Sequence, residues 1–251
     1  MNIQDYLKRI HYQGSIVPNL QTLTELQLAH MRSVPFENLS VYYKEPIILT
    51  NEWLYDKIVQ RNRGGFCYEL NGLFTWLLRE LGYRVTMLSA GVFGDGAFGP
   101  EFDHMTLMVH LEEDYLVDVG FGDSFQMPLR FNFRGEQSQG GMAYQLSAEG
   151  EAFILSEKNN HDEKASMQPQ YRFNRIPHQL ADYEAMCHYH QTSPESTFTQ
   201  KRVCSLAIPN GRYTVSNMRL IYTMNGTREE KTLSSEDEFE NILKEHFNIS
   251  L

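Results

Sequence analysis

Six apolar positions, Leu70, Leu73, Phe74, Leu77, Leu78 and Leu81, recur at i, i+3, i+4, i+7, i+8 and i+11, and Gly82 stands just beyond them. That spacing lays one apolar stripe along a helix, with the glycine as its C-terminal stop. Upstream, Thr22-Leu23-Thr24-Glu25 has the S/T-x-x-E spacing of a reciprocal helix cap and predicts a helix carrying Leu23 and Leu26. A further helix is expected from Asn51, through Trp53, Leu54 and Ile58, to a stop at Gly64-Gly65. From Tyr83 the period changes towards two. Residues 85–92, 104–111, 115–119 and 152–155 form short apolar-rich segments separated by turn clusters, the pattern of an antiparallel sheet or barrel. The glycine-rich run 91–100 is not followed by a helical pattern, so it reads as a hairpin loop rather than a phosphate cradle. Strands at 202–208 and 212–222 and a closing helix over 236–247, with Phe239, Ile242, Leu243 and Phe247 on one face, complete the reading.

Charge narrows the function classes. The 251 residues include 32 acidic and 22 basic side chains, a net charge of −10, with no basic run. Nucleic-acid binding draws its free energy from Lys and Arg, so that partner is excluded, and an anionic membrane surface with it. No stretch reaches the roughly 18 to 20 consecutive apolar residues of a spanning helix, and the polar opening of the chain is unlike a signal peptide. Three cysteines, Cys67, Cys187 and Cys204, form no disulfide framework without a remainder. This points to a reducing, cytoplasmic setting in which any cysteine is open to thiolate chemistry.

Cys67 follows a Gly-Gly break and opens the apolar-striped helix, where unpaired N–H groups and the helix dipole favour a thiolate. Such a cysteine needs a base to become a nucleophile. His104 is the candidate, at the entrance of a strand and beside Asp103 and the glycine-rich loop. Asp118 stands within the apolar segment Tyr115-Leu116-Val117-Asp118-Val119, where an unpaired charge is costly and a designated partner is expected. Register raises a difficulty. A tight turn at Glu112-Glu113-Asp114 sets Asp118 opposite Met108, roughly 13 Å along the strand from His104 at ~3.3 Å per residue. A longer turn or a β-bulge is then required, and Asp103 and Asp123 are rival orienters. Cys187-His188-Tyr189-His190 lacks a second ligand pair at zinc-site spacing, so no metal is assigned.

At these residues the chain resembles the arylamine N-acetyltransferase family. Arg63-Gly64-Gly65-Phe66-Cys67-Tyr68-Glu69-Leu70-Asn71 is similar to the family's nucleophile motif and Val34-Pro35-Phe36-Glu37-Asn38-Leu39 to an upstream motif. Asp103-His104-Met105 and Val117-Asp118-Val119-Gly120-Phe121-Gly122 resemble its histidine and aspartate motifs, in the family's order. The resemblance implies an α+β fold with a papain-like cysteine-enzyme core: an N-terminal helical bundle over 1–85, a central antiparallel β-barrel over 86–188 and a C-terminal α/β lid over 189–251. It further implies ping-pong acetyl transfer from acetyl-CoA, through Cys67 with His104 and Asp118, to an arylamine or arylhydrazine, with no metal. Phe36 and Phe121 match acceptor-pocket positions, and Arg63 and Glu37 match an ion pair near the nucleophile. Within the loop 99–103 beside His104, Glu101 and Phe102 are the candidates for contacts to CoA. Two rivals keep the same residues: a papain-like or transglutaminase-like enzyme acting on peptides, and a non-catalytic binding protein. Oligomeric state is not legible.

Overall fold

The computed structural model describes residues 1–162, 164–224 and 227–251. Asparagines set the first two helix starts: Asn2 accepts from the Gln4 N–H to open α1 (Ile3–Arg9), and Asn19 accepts from the Thr22 N–H to open α2 (Leu20–Ser33). The start expected at Thr22 is therefore one turn late. The Asn19 side chain takes the N–H that capping requires, and Glu25 turns to the Tyr12 hydroxyl and the Gln21 amide instead. After β1 (Phe36–Glu37) and the short α3 (Leu39–Tyr42), α4 (Asn51–Tyr55) runs straight into a π-helical turn at Asp56–Gln60. The chain leaves that turn through Asn62, in the left-handed region (φ 54°), so the helix stops before the expected Gly64-Gly65. The apolar stripe of α5 (Cys67–Glu80) is buried as its spacing predicts.

Nine strands follow: β2 (Arg84–Gly94), β3 (Ala97–Phe98), β4 (His104–His110), β5 (Asp114–Val117), β6 (Leu129–Arg130), β7 (Gln137–Gln139), β8 (Met142–Glu149), β9 (Ala152–Asn159) and β10 (Gln168–Phe173). They pair antiparallel in the order β6-β5-β4-β2-β10-β9-β8-β7, with β3 folded back on β2, and curl into a nearly closed barrel around Leu88, Met108, Leu116, Leu146, Leu155 and Tyr171. The glycine-rich run is the β2–β3 hairpin, turned by Asp95 and Gly96 at φ 51° and 82°, the left-handed pair that a tight hairpin needs. The other barrel face packs on α5, so Leu107, Val109 and Val117 share one core with Leu70, Leu73 and Leu77.

A 3-10 turn (Leu180–Tyr183) leads to α6 (Glu184–Thr192) and α7 (Thr197–Gln200). A second antiparallel sheet contains β11 (Val203–Ile208), β12 (Gly211–Ser216), β13 (Arg219–Met224) and β14 (Thr227–Thr232), and α8 (Glu236–Phe247) closes it. The strand expected over 212–222 is two strands, parted where Asn217 enters the left-handed region (φ 49°). Cys204 and Val215 meet Phe239, Ile242, Leu243 and Phe247 of α8 on one face of this sheet. Its far edge is β1, so a two-residue strand from the first third of the chain ties the end of the molecule to the segment before Cys67. The divisions expected at 85/86 and 188/189 fall inside the continuous elements β2 and α6. No helix among the described residues is long and apolar enough to cross a membrane.

Candidate active site

Cys67 is placed by backbone contacts and buried charge. The Gly65 N–H donates to Pro35 O (3.3 Å) and the Glu37 N–H to Gly65 O (2.9 Å), so the approach to α5 is stitched to β1. A Cβ at Gly64 would lie 1.9 Å from Pro35 O, which no side chain survives. Beneath this stitch Lys57, Arg63, Glu37 and Glu69 are all buried. Arg63 contacts Glu37 through Nε (3.0 Å) and Nη2 (3.3 Å), and Lys57 Nζ contacts Glu69 Oε1 (2.7 Å) and, more distantly, Glu37 Oε1 (3.9 Å). Two cations balance two carboxylates, the condition under which buried charge is tolerable. Burial alone would raise the Glu37 carboxyl, but Lys57 and Arg63 hold it below its ordinary range. Burial raises Glu69, against the pull of Lys57. The other Glu69 oxygen accepts the Phe66 N–H (3.1 Å), fixing the residue that precedes Cys67.

His104 and Asp118 meet without the bulge or longer turn expected. The β4–β5 turn occupies residues 111–113, with His110 opposite Asp114 and Leu107 opposite Val117. Asp118, one residue past the end of β5, therefore comes level with Thr106, and the diagonal step to His104 spans roughly 7 to 8 Å, within side-chain reach. His104 Nε2 donates to Asp118 Oδ2 at 2.7 Å. The Tyr171 hydroxyl donates to the same oxygen (3.1 Å), while Asn71 Nδ2 and the Gly120 N–H donate to Oδ1 (2.9 Å each). Burial alone would raise the Asp118 carboxyl, but His104, Asn71 and Gly120 together hold it below its ordinary value. Asn71, one helical turn after Cys67, also donates to Met105 O (2.6 Å) and accepts the Val119 N–H (2.9 Å). It thereby locks the start of α5 to both residues that follow the histidine and the aspartate. A Cβ at Gly120 would come within 2.8 Å of Cys67 Cα, a measure of how closely the aspartate loop is pressed on the helix start.

Cys67 itself is 4% exposed. Burial pushes its thiol well above the ordinary value, with Asp118 and Asp103 acting in the same direction and the Met105 N–H against them. The rival orienters are occupied elsewhere: Asp103 accepts from the Val92 N–H (3.2 Å), and Asp123 is largely exposed beside Arg212 (3.0 Å). Burial likewise raises the Cys187 thiol, to about 12, and that of Cys204 well above its ordinary value.

Phe121 packs its ring 5.0 Å from His104 and 5.1 Å from Tyr171, and the half-buried Phe36 lies against Gly122 and 6.2 Å from Phe198. Glu101 is exposed on a cavity of about 300 Å3 lined also by Ser89, Arg172 and Asn174. Phe102 turns its ring to His178 and Tyr183, its N–H donating to Ser89 Oγ (2.6 Å) and its carbonyl accepting the Tyr68 hydroxyl (2.6 Å). Sequence reasoning missed Tyr171, Lys57 and the part played by Asn71. Lys57 carries a signal, a lone cation among Leu54, Tyr55, Ile58 and Val59; Tyr171 carries none, since its strand brings it to Asp118 across 53 residues.

A buried cysteine at a helix start, with the His104–Asp118 pair tied to the same helix through Asn71, places on an α+β fold the side chains that a thiol-dependent acyl transfer uses. The N-acetyltransferase family model matches residues 19–251. Arylamine N-acetyltransferase 1 of Homo sapiens is 36% identical over 275 aligned positions, covering 100% of this chain and 95% of that protein. Among solved structures, the arylamine N-acetyltransferase of M. tuberculosis superposes with a TM-score of 0.91 at 31% identity, covering 99% of this chain and 94% of the other. The Mycobacterium marinum enzyme in complex with CoA gives 0.90 at 30%, covering 99% and 93%. The chain belongs to the arylamine N-acetyltransferase family and is an acyltransferase.

Proposed function

We propose that the chain transfers an acetyl group from acetyl-CoA to an aromatic amine or hydrazine by a ping-pong route through Cys67. The observation that carries this reading is the Asp118 carboxylate, whose two oxygens receive four donors and join His104 of β4 to Asn71 of α5, one turn from the cysteine. His104 takes the thiol proton, and Asp118 fixes its tautomer and stabilises the imidazolium. Cys67 Sγ attacks the acetyl carbonyl, the carbon–sulfur bond to CoA breaks, and the departing CoA thiolate takes the proton from His104. The amine nitrogen then attacks the acetyl-cysteine, His104 accepts the proton released by the amine, and Cys67 leaves and is reprotonated. N–H groups of the first turn of α5 precede the first intrahelical bond and supply oxyanion donors. Exchange of one thioester for another is nearly balanced in energy, which suits a thiol nucleophile to this donor.

Phe36 and Phe121 form the aromatic walls that receive the acceptor ring, offset-stacked or edge-on. All three cysteines are unpaired, which supports a cytoplasmic location. Incubation with acetyl-CoA and no amine, followed by intact-protein mass spectrometry, is expected to show an adduct of about 42 Da on Cys67, because a ping-pong enzyme loads before its acceptor arrives. No adduct, or the same adduct in Cys67→Ala, sinks the proposal.

A further inference from the structure

A second histidine–carboxylate contact lies one residue from the first. The Asp103 side chain accepts the Val92 N–H at Oδ2 (3.2 Å), and its Oδ1 lies 3.3 Å from Nε2 of His190, a buried residue of α6. That contact is close enough for charge attraction but off the line of a good hydrogen bond, and Nε2 has no other partner among the described residues. On the opposite side of the ring, Nδ1 stands 3.0 Å from Ser196 Oγ, which also accepts the Phe198 N–H (3.3 Å) at the start of α7. A carboxylate only accepts, so Nε2 carries the proton and the Ser196 hydroxyl donates to Nδ1. The result is a Ser–His–Asp chain whose serine, 3% exposed, is spent on capping a helix and is closed to substrate.

We propose that His190, through Asp103, is a positioning residue for His104, a role that rests on the thiol chemistry proposed above. The peptide that delivers His104 is held from three directions. Tyr68, adjacent to Cys67, donates its hydroxyl to Phe102 O (2.6 Å) and Asp103 O (3.3 Å); Val92 of β2 holds Oδ2; and His190 of α6 holds Oδ1. The loop needs such holding, because Phe102 sits at φ 65°, a left-handed conformation unfavourable for a large side chain. Asp118 orients the imidazole ring of His104, but the residue before it sets where the ring is hung. With His190 removed, Oδ1 of a mostly buried carboxylate has lost its cationic or N–H neighbour, and the cheapest remedy is rotation of Asp103 towards water. That drags the His104 backbone away from Cys67. The rings of Tyr68, 6.1 Å from His190, and Phe198, 5.2 Å from it, leave the imidazole little room to find another partner.

The test compares His190→Leu with His190→Gln, whose amide N–H can stand where Nε2–H stood, on three readouts: melting temperature, the rate of Cys67 acetylation by acetyl-CoA, and the pH midpoint of Cys67 alkylation by iodoacetamide. Leucine is expected to slow acetylation about tenfold, within the range that a sub-ångström misplacement produces, and to move the alkylation midpoint upward. Glutamine is expected to restore both to within about twofold, whichever way melting responds. If His190→Leu does not fold, Asp103→Ala is expected to show the leucine phenotype and Asp103→Asn to escape it, since an amide still accepts from Val92 and His190 can change tautomer to meet it. Leucine and glutamine variants that behave alike overturn the proposal, and so does a leucine variant with an unmoved midpoint. A wild-type Cys67 that alkylates like a free thiol overturns the triad and this strut together, whereas a low wild-type midpoint untouched by His190→Leu overturns the strut alone.

Discussion

The dipeptide Asp103-His104 belongs to two histidine–carboxylate pairs that are built to different standards. In the first, Asp118 receives His104 at 2.7 Å and three further donors from α5, β10 and its own loop, so no single loss frees it. In the second, Asp103 receives one backbone N–H and a histidine at 3.3 Å that is poorly aligned, and the histidine comes from a helix outside the barrel. Both carboxylates are largely shielded from water. The difference is the number of independent anchors: Asp118 is held whatever α6 does, while Asp103 keeps only the Val92 N–H if α6 undocks. A saturated carboxylate makes a fixed site, and a half-saturated one makes a joint between parts.

The sharpest way to break this comparison is to neutralise each carboxylate in turn. Asp118→Asn replaces one acceptor oxygen by an NH2 group facing either the His104 and Tyr171 donors or the Asn71 and Gly120 donors, and it disfavours the His104 tautomer with its proton on Nε2. The turnover of acetyl transfer is expected to fall roughly 10³- to 10⁴-fold, the loss typical when a triad acid is replaced by its amide, while CoA affinity changes little. Asp103→Asn is expected to stay within about twofold in steady-state kcat, since its amide keeps one acceptor for Val92 and offers a donor to the other His190 tautomer. A reversed order of damage would mean that the two pairs have been assigned the wrong roles.

His104→Gln sharpens the electrostatic half of the comparison. With an imidazolium beside it, the Cys67 thiolate is favoured and its alkylation midpoint is expected below the ~8.5 of a free cysteine. Without that cation burial dominates, and with the Asp118 and Asp103 carboxylates it raises this thiol well above its ordinary value. For an acid, a raised pKa means that the neutral thiol persists to higher pH, so the midpoint must move up past ~8.5 and the rate near neutrality must fall, by up to about tenfold per unit moved once the midpoint lies above the assay pH. A His104→Gln profile that still turns over in the acid range places the stabilising charge somewhere other than His104.

How much of this was legible depends on whether the interaction is local. The α5 stripe, Cys67 at its start and Gly82 beyond its end follow from spacing within one segment, and the structure keeps them to the residue. The Asp95-Gly96 hairpin is local in the same sense. The β4–β5 register was not legible, because a one-residue shift of the turn, from 112–114 to 111–113, moves the pairing by two residues and decides whether Asp118 faces Met108 or Thr106. The break at Asn217 was masked by apolar residues on both sides of it. Partners that arrive from distant elements, Tyr171 of β10 on Asp118 and His190 of α6 on Asp103, left no trace in spacing at all. His190 was visible only as part of Cys187-His188-Tyr189-His190, where a cluster of ligand types drew attention to metal chemistry rather than to one buried imidazole.

A modest effect, far below those of Asp118→Asn and His104→Gln, is expected from Tyr171→Phe, and it tests whether Asp118 is as over-determined as its four donors imply. The phenol hydroxyl is one of two donors on Oδ2, and it also lies 3.2 Å from Thr106 Oγ1, while the ring packs 5.1 Å from both His104 and Phe121. Phenylalanine keeps that ring and removes only the hydroxyl. Asp118 retains His104 on Oδ2 and both donors on Oδ1, and Thr106 can still donate to Val117 O (3.4 Å), so no buried acceptor is left without a partner. The loss is then that of one hydrogen bond to a charged group that keeps three others, about 1 kcal/mol or roughly fivefold in kcat/KM for the acceptor. Tyr171→Ala should cost much more, because it also removes the wall behind the imidazole. If phenylalanine alone brings activity down to the level of Asp118→Asn, the carboxylate depends on one donor rather than four, and the contrast with Asp103 collapses.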